Sequence, residues 1–156
     1  IGDKKKFVYD DDLAALVEGH ITTIPETWAL EYLNVSTGNQ TVPTATVRLT
    51  KKRGRKTQVE EDASIGDGPV DASLKAIDRI SKTKGKLMDY SIRAVSQGKD
   101  ALGEVTLKVD FGNGELVVGK GASTDIIEAS ARAYLNAVNR YLNNGRKGRK
   151  RKPRQP

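Results

Sequence analysis

The chain has 156 residues, enough for one domain with a buried core, and it contains no cysteine. Disulfides, cysteine-based zinc fingers and thiol catalysis are therefore excluded. The formal net charge of +7 suggests a nucleic-acid partner, but seven lysines and arginines lie within residues 146–156, and without them basic and acidic residues number 20 each. The body of the chain outside that segment is therefore expected to be neutral. No apolar run approaches the roughly 20 residues of a membrane helix, so no membrane partner is expected.

Residues 1–27 are predicted to form a connector that contains one short helix. In the stretch "DDDLAALVEG" (10–19), acidic residues come first, apolar residues follow at helical spacing, and Gly19 ends the pattern. The lone His20 has no partner motif and is interpreted as a surface residue. The connector has no apolar region typical of a signal peptide, and a cytoplasmic location is predicted.

The region 28–81 predicts three strands followed by a helix. Runs rich in aromatic and β-branched residues predict the strands at 28–38, 44–51 and 56–64. Val47 and Leu49 alternate with polar residues, as is typical of a half-buried strand. Pro69 suits a first helical turn, and the helix is expected to end before Lys82. The basic run 51–56 is interpreted as a solvated hairpin loop.

The same order of elements returns in the region 87–143. The strands are predicted at 88–98, 103–111 and 115–121, and the helix at about 124–143. Both units carry a Gly-x-Gly, at 66–68 and at 119–121, and the two are interpreted as equivalent strand-to-helix corners. The predicted fold is therefore α+β, with two pseudo-symmetric βββα units of antiparallel strands. Two three-stranded sheets with one helix each leave a sheet face uncovered, which favours a homodimer.

The second helix presents two different surfaces. Three alanines recur every four residues, which would allow another element to approach closely; they are Ala129, Ala133 and Ala137. Four polar residues are assigned to the solvent side: Arg132, Asn136, Asn139 and Asn143. Beyond this helix, residues 145–156 contain no apolar residue and are predicted to be a disordered basic tail.

No constellation in the chain predicts catalysis. The loop "SIGDGPVDASL" (64–74) lacks the lysine of a phosphate-binding Walker motif, and its strands are expected to be antiparallel, which excludes a dinucleotide fingerprint. The single histidine rules out a Ser-His-Asp set elsewhere, and no cluster of metal ligands is present. We therefore predict no catalytic residue and no metal site in this chain.

Three motifs in order carry a resemblance to a known family: "GDGPVDASLKAIDRI", "MDYSIRAVSQGKDALGEVTLKV" and "GKGASTDIIEASARAYLNAVNR". From about residue 28 to 141, the chain resembles the C-terminal regulatory domain of the 2-isopropylmalate synthases, which citramalate synthases share. The resemblance implies a dimeric domain that binds an end-product amino acid as feedback inhibitor. It also implies that the acyltransferase activity, the divalent metal and acetyl-CoA belong to a catalytic barrel, which this chain lacks.

The resemblance also implies an effector site, whose residues are carried over position by position. They are Asp67, Gly68, Pro69, Val70, Leu87, Tyr90, Ala94, Ala101, Gly103 and Ile126. Amides at the start of a helix suit the carboxylate of an amino acid, and the two small alanines leave room for a branched side chain. The other interpretation is that Val70, Leu87 and Ile92 are ordinary core residues.

Leucine is the expected effector, because the segment "SARAYLNAVNR" (130–140) is more similar to the isopropylmalate synthases. Isoleucine, the effector of citramalate synthases, is the alternative, and nucleic-acid binding by the tail is a remoter one. The dimer interface and the helix at 10–19 are expected to relay the signal to the barrel.

Overall fold

The computed structural model describes residues 27–97 and 100–151, with side chains at all of these positions except 96–97, 100 and 145–151. The connector helix predicted at 10–19 lies outside the described residues and stays a prediction. So does the disorder predicted for 152–156. Within the described part, no helix is long and apolar enough to cross a membrane.

Two βββα units follow one another along the chain. Their elements are β1 (Ala29–Gly38), β2 (Thr41–Arg53), β3 (Lys56–Ile65), α1 (Pro69–Ser81), β4 (Lys86–Gln97), β5 (Asp100–Asp110), β6 (Leu116–Ser123) and α2 (Ile126–Arg151). The strands form two separate sheets, in the orders β1-β2-β3 and β4-β5-β6, and every neighbouring pair is antiparallel. The predicted α+β class and its internal repeat are confirmed.

Alternation along the central strands decides which face of each sheet carries its helix. Val47 and Leu49 in β2 are fully buried, and so are Val105 and Leu107 in β5, whereas their neighbours along each strand are partly exposed. We call the side of each sheet that bears these residues its inner face. The inner faces and both helices contribute to a single buried cluster, so the two units share one core.

Helix α1 begins and ends where the sequence predicts. Gly68 is its N-cap and Pro69 its first residue, a position at which the missing N–H of proline costs nothing. The helix ends at Lys82, whose left-handed backbone (φ 58°) lets Thr83 donate its amide hydrogen bond to the Asp78 carbonyl at 3.1 Å.

The equivalence of the two Gly-x-Gly pairs is wrong. Gly68 immediately precedes α1, whereas Gly119 and Gly121 lie inside β6 and α2 begins only at Ile126. A Cβ on Gly119 would meet the carbonyl oxygen of Ala133, so these glycines let the strand backbone touch the helix. The two glycines are two residues apart, so they lie on the same face of the strand. The alanines of α2 are four residues apart, so they lie on the same face of the helix, and these two faces contact each other.

Two of the asparagines predicted to face solvent are instead bound to strand backbones. Asn139 is only 5% exposed: its Oδ1 accepts a hydrogen bond from the amide of Trp28 (2.8 Å), and its Nδ2 donates to the Trp28 carbonyl (2.9 Å). Asn136 accepts a hydrogen bond from the amide of Lys120 at 3.1 Å. A side-chain amide both donates and accepts, so it can complete backbone groups that a strand leaves unpaired at its end or edge.

Two predicted boundaries also move. The strands β2 and β3 reach Arg53 and Lys56, so the hairpin loop shrinks to Gly54 and Arg55, and Lys51 lies with its Nζ 4.7 Å from the centroid of the Trp28 ring. Helix α2 continues to Arg151, so 145–151 are helical rather than part of a disordered tail. Lysine and arginine are good helix formers, which explains how the helix extends into the basic segment.

Candidate functional site

Helix α2 covers only part of the inner face of its sheet. It packs on β6 and β5, and β4 is left at the open edge. Ile92 pairs with the fully buried Val105 in the strand register, yet it is 51% exposed. The inner-facing residues of β4 therefore form an apolar surface that α2 does not fully cover, which we call the β4 strip: Leu87, Tyr90, Ile92 and Ala94. Tyr90 is partly buried against the core, whereas the other three residues are exposed.

The β4 strip meets the first turn of α2. The hydroxyls of Tyr90 and Ser130 are 2.6 Å apart, and Ser130 donates its own proton to the Ile126 carbonyl at 2.8 Å. Tyr90 must therefore be the donor to Ser130. A Cβ on Gly103 would collide with the Ile126 side chain, so the glycine allows the start of α2 to lie against β5.

Six of the ten predicted effector residues thus belong to one side of the second sheet. Ala94 lies opposite Gly103 in the register, and both Ala94 and Ala101 are exposed. Leu87 lies at the other end of β4, opposite Val109, and is 39% exposed. The alternative interpretation of Leu87 as an ordinary core residue is not supported, because a core side chain would be buried. We did not predict a role for Ser130 from the sequence. Its position four residues after Ile126, one helical turn later, was the signal that could have placed it beside the predicted site.

The remaining four predicted residues, Asp67 to Val70, lie at the start of α1 on the first sheet. The Gly66 amide donates to the Pro43 carbonyl at 3.0 Å, and the Asp67 amide donates to the Asp71 carboxylate at 2.9 Å. These two amides are therefore already used within the chain. By position, the amides of Val70 and Asp71 have no partner inside the helix and are the ones suited to a ligand carboxylate.

The two helix starts differ in what they offer to an anion. At α2 the Asp125 carboxylate accepts the Ile127 amide at 2.9 Å, so an acidic side chain already caps this end. At α1 the N-cap is Gly68, which makes no side-chain cap, and a Cβ placed there would meet nothing within 4 Å. The start of α1 is therefore the more accessible of the two for a carboxylate.

We call residues 67–70 the α1 loop. Among the residues that the structure describes, no hydrogen bond and no close approach at a glycine joins the α1 loop to the β4 strip. The structure thus brings the predicted site together as two groups, one on each unit. A cleft of about 800 Å³ lies elsewhere, beside Trp28 and the end of α1, and none of the ten predicted residues lines it. The rim of this cleft is polar and charged, whereas a branched aliphatic side chain requires the apolar surface found along β4.

One partly buried carboxylate links the two helices. Asp78 of α1 accepts hydrogen bonds from the hydroxyls of Tyr134 (2.6 Å) and Thr83 (2.8 Å) and a longer one from the Gly85 amide (3.4 Å). Burial raises the pKa of Asp78, and its three hydrogen bonds oppose that rise only in part. Burial and the neighbouring Asp78 carboxylate raise the pKa of Tyr134, which therefore remains a donor.

We expect Asp78 to weaken the fold as the pH rises. Its folded-state pKa is raised above the ordinary value of 3.8, so the folded chain holds this proton to higher pH than the unfolded chain does. Its contribution to the free energy of unfolding is therefore largest below pH 3.8 and decreases as the pH rises through the window between the two pKa values. Urea unfolding of the wild-type and Asp78→Asn chains at several pH values measures this as a difference curve.

That difference should fall with pH and then level off. An Asp89→Asn variant, at an exposed position, controls for the change in net charge. A difference between wild type and Asp78→Asn that instead grew with pH would mean that the hydrogen bonds to the carboxylate outweigh its burial.

The described residues offer no group of three or more His, Cys, Asp or Glu that could hold a metal ion. The divalent metal that the resemblance assigns to the catalytic barrel thus has no fitting ligand set in the described part of this chain.

The chain is similar in sequence to known proteins. The family profile described as the LeuA allosteric (dimerisation) domain matches residues 7–142. Over 142 residues the chain is 55% identical to a protein of Methylacidiphilum infernorum and 53% identical to one of Carboxydothermus hydrogenoformans, both named 2-isopropylmalate synthase. Each alignment covers 91% of this chain and 27% of the relative, so the chain spans about a quarter of the length of these relatives.

Proposed function

Because this chain belongs to the LeuA allosteric (dimerisation) domain family, we propose that it is the feedback-regulatory domain of a 2-isopropylmalate synthase and binds L-leucine at or near the interface of a homodimer. The catalytic barrel, with its divalent metal and acetyl-CoA, would be the domain's partner in the full-length enzyme. The relatives' name favours leucine over isoleucine as the effector. The prediction of nucleic-acid binding rests on tail side chains outside the described ones and stays a prediction.

The observation that carries this proposal is the β4 strip. Ile92 is 51% exposed and Leu87 is 39% exposed, an unusual amount of open apolar surface beside the fully buried Val105 and Val109 with which they pair. A second copy of the chain that packs on this strip would bury it. The domain's name within its family, which includes dimerisation, supports that arrangement.

The chemistry of the two residue groups matches a free branched amino acid. Ala94 and Ala101 are small and leave space above the strip, and Ile126 closes one end of it with aliphatic surface. The uncapped start of α1 supplies amides for the carboxylate, and the exposed Asp67 beside it suits the ammonium group. In this proposal the α1 loop and the β4 strip meet at the dimer interface, where one leucine contacts both.

Inhibition then follows from linkage between the effector and the assembly. Leucine must bind more tightly to the inhibited arrangement than to the active one, and coupling of this kind is typically worth about 1–3 kcal/mol. The dimer interface is the two-state element that we propose, since leucine bound there contacts groups from both units.

A ligand panel tests this proposal. We expect L-leucine at millimolar concentration to raise the unfolding temperature of the chain, because a ligand that binds only the folded state at 100 times its Kd adds about 2.7 kcal/mol to the free energy of unfolding. L-isoleucine and L-valine should give smaller shifts, and L-lysine and D-leucine none. Calorimetry measures the stoichiometry, which we expect to be one leucine for each effector site. Absence of a response to every branched amino acid, both in this chain and in the full-length enzyme, contradicts the proposal.

A further inference from the structure

The cleft beside Trp28 has both apolar and charged surface, and the proposed effector site does not include it. Its apolar floor includes Trp28, Ile80 and Leu142, and its rim carries the cations Arg53 and Lys82. The rim also holds Glu60, whose carboxylate accepts a hydrogen bond from Gln58 at 2.9 Å. Among the residues that the structure describes, neither Arg53 nor Lys82 has an ion-pair partner. The cleft thus combines apolar contact area with unpaired positive charge.

We propose that the acidic segment 10–19 of the same chain docks in this cleft. Residues 7–26 carry five acidic residues and no lysine or arginine, so the segment has the charge that the rim lacks. Its leucines and valine recur at helical spacing and provide an apolar face for the floor. The charge of the rim disfavours residues 146–156, whose seven charged residues are all basic.

The position of the cleft makes this contact accessible to the segment. Thr27 lines the cleft and is the first residue that the structure describes, so the segment enters at its edge. The eight steps of chain from Gly19 to Thr27 span at most roughly 26–29 Å when extended, which is enough for the segment to turn back towards the cleft. A ten-residue helix is about 15 Å long, well within that reach.

Docking would couple the connector to both units at once. The cleft is lined by β2 and β3 of the first unit and by Tyr141 and Leu142 of α2 in the second. A shift between the units therefore changes the shape of the cleft and the strength of docking. This contact requires only the cleft and the segment, and it holds whether or not the chain binds an amino acid.

Hydrogen exchange of the whole chain tests the docking. We expect the amides of residues 13–17 to be protected, and the double variant Arg53→Glu, Lys82→Glu to lower that protection by about tenfold or more. Lys52→Glu with Lys84→Glu is the matched control, since it changes the net charge equally at neighbouring positions that do not line the cleft. Adding Asp11→Lys and Asp12→Lys to the cleft variant should restore protection, because both partners then have reversed charge.

Three results would overturn the docking. The first is absence of protection over 13–17 in the wild-type chain. The second is equal loss of protection in the cleft variant and its control. The third is protection that falls on dilution, which would assign the docked segment to a second copy of the chain.

Discussion

Replacing Gly119 with alanine should lower the free energy of unfolding by about 3 kcal/mol, a large part of the 5–15 kcal/mol that holds a typical domain together. The new methyl group would meet the carbonyl oxygen of Ala133 and lie 2.8 Å from both the Cβ and the amide nitrogen of Ala137. Backbone atoms cannot rotate away as a flexible side chain can, so β6 and α2 must separate. Urea unfolding measures the loss as a lower midpoint at unchanged slope.

Gly68→Ala is the matched control for this substitution. A Cβ at Gly68 would meet nothing within 4 Å, and its φ of −160° is open to any residue, so only the weaker preference for alanine at an N-cap applies and the free energy of unfolding should fall by about 1 kcal/mol or less. Equal stability of the Gly119→Ala and Gly68→Ala chains would show that the strand and helix are not in tight contact. The comparison separates the packing role of glycine from its conformational freedom.

Replacing Ala94 with phenylalanine should abolish the response to leucine. Ala94 is exposed on the β4 strip, so a large ring there occupies the proposed effector space without disturbing the core. We expect leucine affinity to fall at least about 100-fold, equivalent to about 2.7 kcal/mol. Calorimetry of leucine binding measures the effect, and light scattering on the same samples shows whether the dimer persists.

Ser91→Phe places the same ring on the opposite face of β4. Ser91 is exposed and pairs with Thr106, away from the inner face. This variant should bind leucine as the wild type does. Equal binding by Ala94→Phe and the wild type would remove the β4 strip from the effector site, although it would leave leucine binding elsewhere on the domain possible.

The sequence was sufficient to predict the architecture, because local patterns determine it. Val47 and Leu49 alternate with polar neighbours, and Pro69 and Lys82 bound a helix whose apolar residues share one face. These signals depend on residues close together in the chain. The repeat of the same pattern in the second unit then established the two-unit organisation.

The errors have a common physical origin in long-range contacts. Asn139 looks like a surface residue until Trp28, 111 positions away, supplies the backbone groups that it binds. Gly119 looks like part of a corner until α2 is seen lying against it. Nothing in the neighbouring sequence distinguishes an asparagine that faces water from one that faces the end of another strand.

The sequence supplied candidates for the effector site but did not predict how they are arranged. The motif resemblance supplied all ten residues, and the structure gathers six of them along the second sheet. In the dimer that we propose, a second copy of the chain brings the α1 loop to this group, and a sequence pattern does not describe such a contact. The roles of Ser130 and of the cleft beside Trp28 likewise depend on tertiary contacts.

The hydrogen bonds between Asn139 and Trp28 set an order on how this domain can be completed during synthesis. The residue just before the first strand is held by the last helix, across a sequence separation of 111 residues. During synthesis the start of the first sheet therefore cannot be secured until nearly all of the domain has left the ribosome, and the entropic cost of that closure comes late. The two repeats look like independent modules, yet neither is complete without this clasp, so they should gain and lose their structure together.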